Sequence, residues 1–217
     1  SELSSADITF MRSVYSQNQK DSAVHDELLE SFDKKVSDSK TQFSIFRWQN
    51  KIQSFLAFTD QGDSLYMSSF NVTPDVRGFK IGEAMLDQVV SEQAKNHILE
   101  ADCDAKLPIS AKYIETGWVG TSYFEDKNRK TNESDWIIYI KRNDNLNAGY
   151  WGKLASKESI ITQRTHPENV KVEVAKTQAE LPFQLCNEGY VLTRMFTDKS
   201  GLSYGVFELP IKEEANH

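Results

Sequence analysis

The chain reads as an α+β protein. The expected architecture is a mixed, mainly antiparallel sheet with flanking helices, plus a smaller α+β segment toward the C-terminus. Three observations predict this. Apolar residues recur at helical spacing near the N-terminus, the period changes to alternation from Gln42, and a strand, an amphipathic helix and a second strand follow one another across residues 65–103. A helical crossover joins parallel neighbours, so that last unit puts one parallel pair into the sheet. With 217 residues the chain is long enough for one large domain or two small ones with a real core.

The elements follow in order. Ile8, Met11 and Tyr15 predict a helix over residues 4–17, with Ser4 or Ser5 as its cap. Val24, Leu28, Leu29, Phe32 and Val36 form one apolar stripe over residues 22–37, with Asp21 or Ser22 placed to cap it. Residues 42–48 alternate, with Phe43 and Ile45 on one face and Phe46 and Trp48 on the other. A turn at Gln49-Asn50 leads to a strand over 52–58, and a third strand over 65–72 carries Tyr66, Phe70 and Val72 on one face. A helix over 80–97 repeats Ile81, Met85 and Val89. A short strand, 98–103, comes next, then a helix in "LPISAKYIET" that stops at Gly117, then strands over 118–124 and 136–141.

"NDNLNAGYWG" reads as a boundary, giving domains of 1–143 and 144–217. Beyond it a helix is expected over 151–163, a strand over 170–174, a helix in "QAELPFQLCNE" ending at Gly189, and a hairpin around "TDKSG". This tail echoes an earlier stretch: "LPISAKYIETGWVGTSYF" and "LPFQLCNEGYVLTRMF" share Leu-Pro, a short helix, Gly-aromatic-Val and a strand.

Composition excludes several classes. A net charge of −7 argues against a general nucleic-acid binder, which needs clustered Lys and Arg. No apolar run approaches the roughly 20 residues of a membrane span, and "SELSSADITF" lacks the basic-then-apolar pattern of a secretion signal. Two cysteines, Cys103 and Cys186, make no disulfide framework, so a cytoplasmic setting is expected. The four histidines have no metal-ligand spacing, and no metal is expected.

The chemistry concentrates in "NVTPDVRGFKIGEAML", residues 71–86. A strand ends at Pro74, Arg77-Gly78 follows, and Ile81-Gly82 opens a helix. A helix N-terminus presents unpaired N–H groups and partial positive charge, glycines let a ligand approach the backbone, and an arginine adds a charged fork for phosphate. Two readings stand on these residues alone: a phosphate cradle, or a turn whose glycines serve geometry and packing.

The order of motifs over residues 42–142 resembles the GNAT family of acyl-CoA-dependent N-acetyltransferases. A meander ends in Val72-x-Pro74, Arg77-Gly78-x-x-Ile81-Gly82 opens a helix, and a strand and a short helix with Tyr113 lead to Gly117-Trp118-Val119. The resemblance implies acetyl-CoA as acyl donor, an amine acceptor (a small molecule, or a protein lysine or N-terminus), and direct attack without an acyl-enzyme. It implies that the backbone of Arg77, Gly78, Phe79, Lys80, Ile81 and Gly82 holds the coenzyme A pyrophosphate, and that Phe70, Asn71 and Val72 run beside the pantetheine arm. Tyr113 is implied as the acid that protonates the leaving thiolate, and Glu100 as the base. The tail would then be a degenerate second half of the same kind, with Leu185 where Tyr113 stands in the first copy, or an unrelated appendage. The chain departs from the family pattern in four places: the asparagine that often opens the later short helix is not evident in "DCDAKLPI", the usual first strand is not found where the chain begins with helices, Lys80 replaces the middle glycine of the loop, and residues 65–72 contain no glutamate. The last two departures motivate a second reading, a catalytically silent GNAT-like scaffold that binds a protein.

Overall fold

The first helix, α1 (Ser5–Asn18), starts on a reciprocal cap. The Ser4 hydroxyl accepts from the Asp7 N–H at 3.1 Å, and the Asp7 carboxylate accepts from the Ser4 N–H at 3.1 Å. The second, α2 (His25–Ser37), begins later than its apolar stripe implies and has Val24 rather than Asp21 or Ser22 at its cap. Ser22 is engaged elsewhere: its hydroxyl accepts from the Val24 N–H and donates to Asp135 at 2.6 Å. A two-pronged Arg12–Asp33 bridge joins the helices at 2.8 and 2.9 Å, exposed and therefore a minor contributor. A computed structural model describes residues 3–127, 134–142 and 167–209 of the chain.

The three expected strands form β1 (Thr41–Trp48), β2 (Lys51–Asp60) and β3 (Ser64–Val72), an antiparallel meander. Gln49 and Asn50 make the first hairpin with φ of 49° and 62°, the left-handed pair that a two-residue turn needs to match strand twist. Met11, Val14, Tyr15, Phe32, Ile52 and Phe55 form the core between the two helices and this meander, with Phe43 and Ile45 packed against it. Phe46 and Trp48, on the other face of β1, are exposed.

β3 departs from strict alternation. Between Phe55 and Ala57 of β2 the register slips, so that β3 carries one extra residue, and Ser69 has φ 53°. The bulge separates Tyr66 from the face shared by Phe70 and Val72, and leaves Ser64, Met67 and Asn71 as the buried positions. The helix α3 (Ile81–Gln93) follows and buries Met85, Leu86, Val89 and Val90; it ends short of residue 97. β4 (Ile98–Asp104) runs parallel to β3, as the crossover requires, and pairs Ser64 with Ile98 through Tyr66 with Glu100.

The described residues fall into two compact units. One holds those up to Ala101 with the described residues of the Asp126–Asp135 stretch, the other Asp102–Glu125 and those from Trp136 onward. The expected boundary segment, 143–152, and the helix expected over 151–163 lie outside the described residues.

The second unit contains α4 (Pro108–Glu115), β5 (Val119–Lys127), β6 (Ser134–Arg142), β7 (Val170–Ala175), β8 (Val191–Thr197) and β9 (Ser203–Glu208), with strands in the order β6-β5-β8-β9-β7. The segment expected as one helix before Gly189 is two short 3₁₀ turns, Gln178–Glu180 and Phe183–Glu188. Pro182 lies between them; it has no N–H to continue a helix. The echoed sequences adopt the same local ending. Gly117 and Gly189 have φ of 97° and 94°. The Trp118 N–H donates to the Tyr113 carbonyl at 3.2 Å, and the Tyr190 N–H to the Leu185 carbonyl at 3.1 Å. Gly120 pairs antiparallel with Leu192. These are corresponding positions of the two echoed sequences.

Candidate active site

The loop between β3 and α3 is fastened at its start. The Thr73 N–H donates to the Gln53 carbonyl at 2.9 Å and its hydroxyl to Gln53 Oε1 at 3.2 Å. Pro74–Val76 makes a single 3₁₀ turn, after which Arg77, Gly78, Phe79 and Lys80 are exposed. Gly78 has φ 85°, and Lys80, the residue before α3, has φ 59° and ψ 15° with no side-chain cap. Lys80 thus holds the left-handed conformation natural to glycine. The side chain departs from the family pattern, but the backbone keeps a conformation that glycine adopts readily.

Within this loop the N–H groups of Gly78, Lys80, Ile81 and Gly82 make no hydrogen bond to the described residues, whereas those of Arg77 and Phe79 close weak turns at 3.4 Å. Free amides at the positive end of a helix suit an anion. Gly82 has a different task. A Cβ there would lie 2.7 Å from Val72 Cγ2 and 3.2 Å from Phe70 Cζ, so its absence lets α3 lie close against β3. Turn geometry and unpaired amides, the features behind the two readings left open by the sequence, coexist in one loop.

Phe70, Asn71 and Val72 lie immediately behind that loop. Phe70 and Val72 face Gly82, while Asn71, 3% exposed, turns to the other side, where its Oδ1 accepts from Asn18 Nδ2 at 2.7 Å. The parallel ladder between β3 and β4 covers only Ser64–Tyr66. Past Tyr66, the side of β3 that faces β4 has no strand partner among the described residues, and Met67–Val72 presents a bulged edge to which an extended chain can pair. At the bulge the hydroxyls of Ser68 and Ser69 are buried without a hydrogen-bond partner.

Glu100 lies opposite Tyr66, further back along β3 than Phe70. It is buried, and the Ser64 hydroxyl donates to its Oε2 at 3.0 Å. Tyr113 belongs to the second unit, on α4. Its side chain is buried, with the ring edge-on to Trp118 at 5.4 Å between centroids. Burial first, then the nearby Cys103 and Asp102, push its hydroxyl pKa well above the ordinary tyrosine value, so the proton is firmly held. The Cys103 thiol is likewise pushed up, by burial and by Asp102 and Asp104, which suits a neutral filler rather than a nucleophile.

Two further residues support these positions and left no trace in the sequence pattern. Gln178 Nε2 lies 2.6, 2.9 and 2.7 Å from the Ala105 carbonyl, the Leu107 carbonyl and Ser110 Oγ, so that its two N–H groups tie down the start of the helix that carries Tyr113. Asn18, the last residue of α1, accepts from Arg77 and donates to Asn71 and to the Val72 carbonyl. Both act across long separations in the chain, where periodicity is silent. Among the described residues no cluster of His, Cys, Asp and Glu could hold a metal.

The comparisons with known proteins bear on the family and the fold. The acetyltransferase (GNAT) domain family matches residues 11–132. No curated protein matches the chain. Among solved structures, the ribosomal-protein-alanine N-acetyltransferase from Brucella melitensis is similar with a TM-score of 0.52 and 14% identity, over 66% of this chain and 98% of that one. The structure of yncA from Salmonella typhimurium with its cofactor acetyl-CoA reaches 0.50 at 13%, over 65% and 90%. A spermidine N-acetyltransferase chimera from Vibrio cholerae and hSSAT reaches 0.51 at 13%, over 67% and 95%. At these identities the structures establish the fold alone: a mixed, mostly antiparallel sheet with flanking helices. GNAT acetyltransferases use acetyl-CoA as their cosubstrate. The family match spans more than half of the 217 residues, and on it the chain belongs to the GNAT acetyltransferases.

Proposed function

We propose that the chain transfers an acetyl group from acetyl-CoA to a primary amine by direct attack on the thioester. The observation that carries this reading is the pairing of two features in one unit. Gly78, Lys80, Ile81 and Gly82 offer unpaired amides for a pyrophosphate, and among the described residues the neighbouring edge of β3 lacks a strand partner past Tyr66. The acceptors named for the structural neighbours, a protein alanine and spermidine, are both amines, which supports an amine here. The free state of Cys103 and Cys186 supports a cytoplasmic setting.

In this reading the amine nitrogen bonds to the thioester carbon as the carbon–sulfur bond breaks. An amide of Phe70–Val72 donates to the carbonyl oxygen, which gains negative charge on the way. Glu100 takes the proton that the amine loses, and Tyr113 gives one to the departing thiolate. Burial keeps Tyr113 protonated, as an acid must be before it acts. Lys80, which motivates the silent-scaffold reading, supports an active loop instead, because it keeps glycine's conformation and a free N–H.

The test is acetyl-CoA turnover over a panel of primary amines, including spermidine and peptides with a free N-terminal alanine. Tyr113→Phe is expected to lower kcat by about 10²–10⁴-fold, the usual contribution of a positioned acid, with little change in KM for acetyl-CoA. Turnover unaffected by Tyr113→Phe removes Tyr113 from the role, and no turnover with any amine contradicts the transferase reading.

A further inference from the structure

Arg77 stands at the loop, and Ser69 stands at the bulge. A continuous hydrogen-bonded chain connects them. Arg77 Nη2 donates to Asn18 Oδ1, Asn18 Nδ2 donates to Asn71 Oδ1 at 2.7 Å and to the Val72 carbonyl at 3.3 Å, and Asn71 Nδ2 donates to the Ser69 carbonyl at 2.9 Å. Chemistry fixes both amide orientations. A guanidinium only donates, so Asn18 must turn its oxygen to Arg77, and backbone carbonyls only accept, so both amide nitrogens must face β3. A carboxylate in place of Asn18 could still hold Arg77 but could not satisfy Val72.

We propose that Asn18 and Asn71 are positioning residues for acyl-CoA, Asn18 holding the Arg77 guanidinium at the phosphate end and Asn71 holding the Ser69 bulge at the acyl end. The inference rests on the acetyl-CoA reading above and adds what couples the two ends of that site. Three observations favour it over a simple packing role. Arg77 is exposed, and an exposed arginine held by one partner gives up side-chain freedom that it would otherwise keep. Ser69 has φ 53°, an unfavourable conformation for a serine, and Asn71 bonds to its carbonyl. The Ser68 and Ser69 hydroxyls are buried without partners at the same bulge, as expected where a ligand completes the site.

The test is a double-substitution cycle on coenzyme A affinity, measured by calorimetry on the full chain, Asn18→Ala, Arg77→Ala and the double variant. A hydrogen bond to a charged group corresponds to about tenfold in affinity. Asn18→Ala is therefore expected to weaken coenzyme A about tenfold in the parent and less than about twofold when Arg77 is already alanine. General damage to the fold would persist in the Arg77→Ala background. Should Asn18→Ala not fold, Asn18→Ser takes its place in the cycle. Asn71→Ser removes both the acceptor for Asn18 Nδ2 and the donor to the Ser69 carbonyl, and is expected to weaken coenzyme A and, at saturating acetyl-CoA, to lower turnover about tenfold or more; turnover like the parent's at saturating acetyl-CoA overturns the role given to Asn71. Asn18 variants that bind like the parent, or losses that multiply across the cycle, overturn the inference and leave the acetyl-CoA reading standing. A parent chain that binds no coenzyme A overturns both.

Discussion

Lys80 and Gly82 bracket the start of α3 and carry opposite demands. Lys80 sits at φ 59° and ψ 15°, a conformation that disfavours an L-residue by about 1–2 kcal/mol. Glycine removes that strain but brings more freedom to the unfolded chain, which offsets about 0.5–1 kcal/mol. Lys80→Gly is therefore expected to raise stability by about 0.5–1 kcal/mol in urea unfolding and to retain coenzyme A binding, since the N–H is kept. Gly82→Ala would bring a Cβ to 2.7 Å from Val72 Cγ2. The same measurement is expected to lose about 1–3 kcal/mol, as overpacked sites do. The sequence reveals a lysine where a glycine is expected, but the backbone conformation that reconciles the two is invisible in it. Asn18 was invisible for another reason: its partner Arg77 is 59 residues away.

At the scale of elements, periodicity located helices and strands well where one face is buried, as in α3 and β1. It failed where a local event broke the period. The extra residue at Ser69 moved Tyr66 off the Phe70–Val72 face, and Pro182 turned an expected helix into two 3₁₀ turns. The β8–β9 hairpin was legible from "TDKSG", and its stabilising group is Asp198. One carboxylate oxygen accepts from the Ser200 hydroxyl at 2.6 Å, the Ser200 N–H at 2.8 Å and the Leu202 N–H at 3.0 Å. The other accepts from the Tyr204 hydroxyl at 3.2 Å. The Ser200 hydroxyl bond, with the backbone bonds and Tyr204, lowers the carboxyl pKa against the opposing effect of desolvation. A group depressed in the folded state stabilises above its unfolded pKa, about 3.9 for aspartate, and that stabilisation fades as pH falls through the lower folded value. Asp198→Ala is therefore expected to lower Tm at pH 7, with the gap to the parent closing toward pH 2.

At the scale of the whole molecule, the family was legible because its motifs stand in a fixed order from Val72 to Val119, and the match over residues 11–132 covers that order. Neither composition nor the charge of −7 carried that information. No helix among the described residues is long and apolar enough to cross a membrane. The loop, the bulged edge and Glu100 belong to the first unit and Tyr113 to the second. Binding of the donor is therefore the property that the first unit's own geometry makes most explicit. Titration of acetyl-CoA into the full chain tests it directly. The account predicts saturable binding of about one molecule per chain, weakened about tenfold or more by Arg77→Ala, as loss of a charge-assisted contact to phosphate should do. The absence of binding at millimolar acetyl-CoA would contradict it.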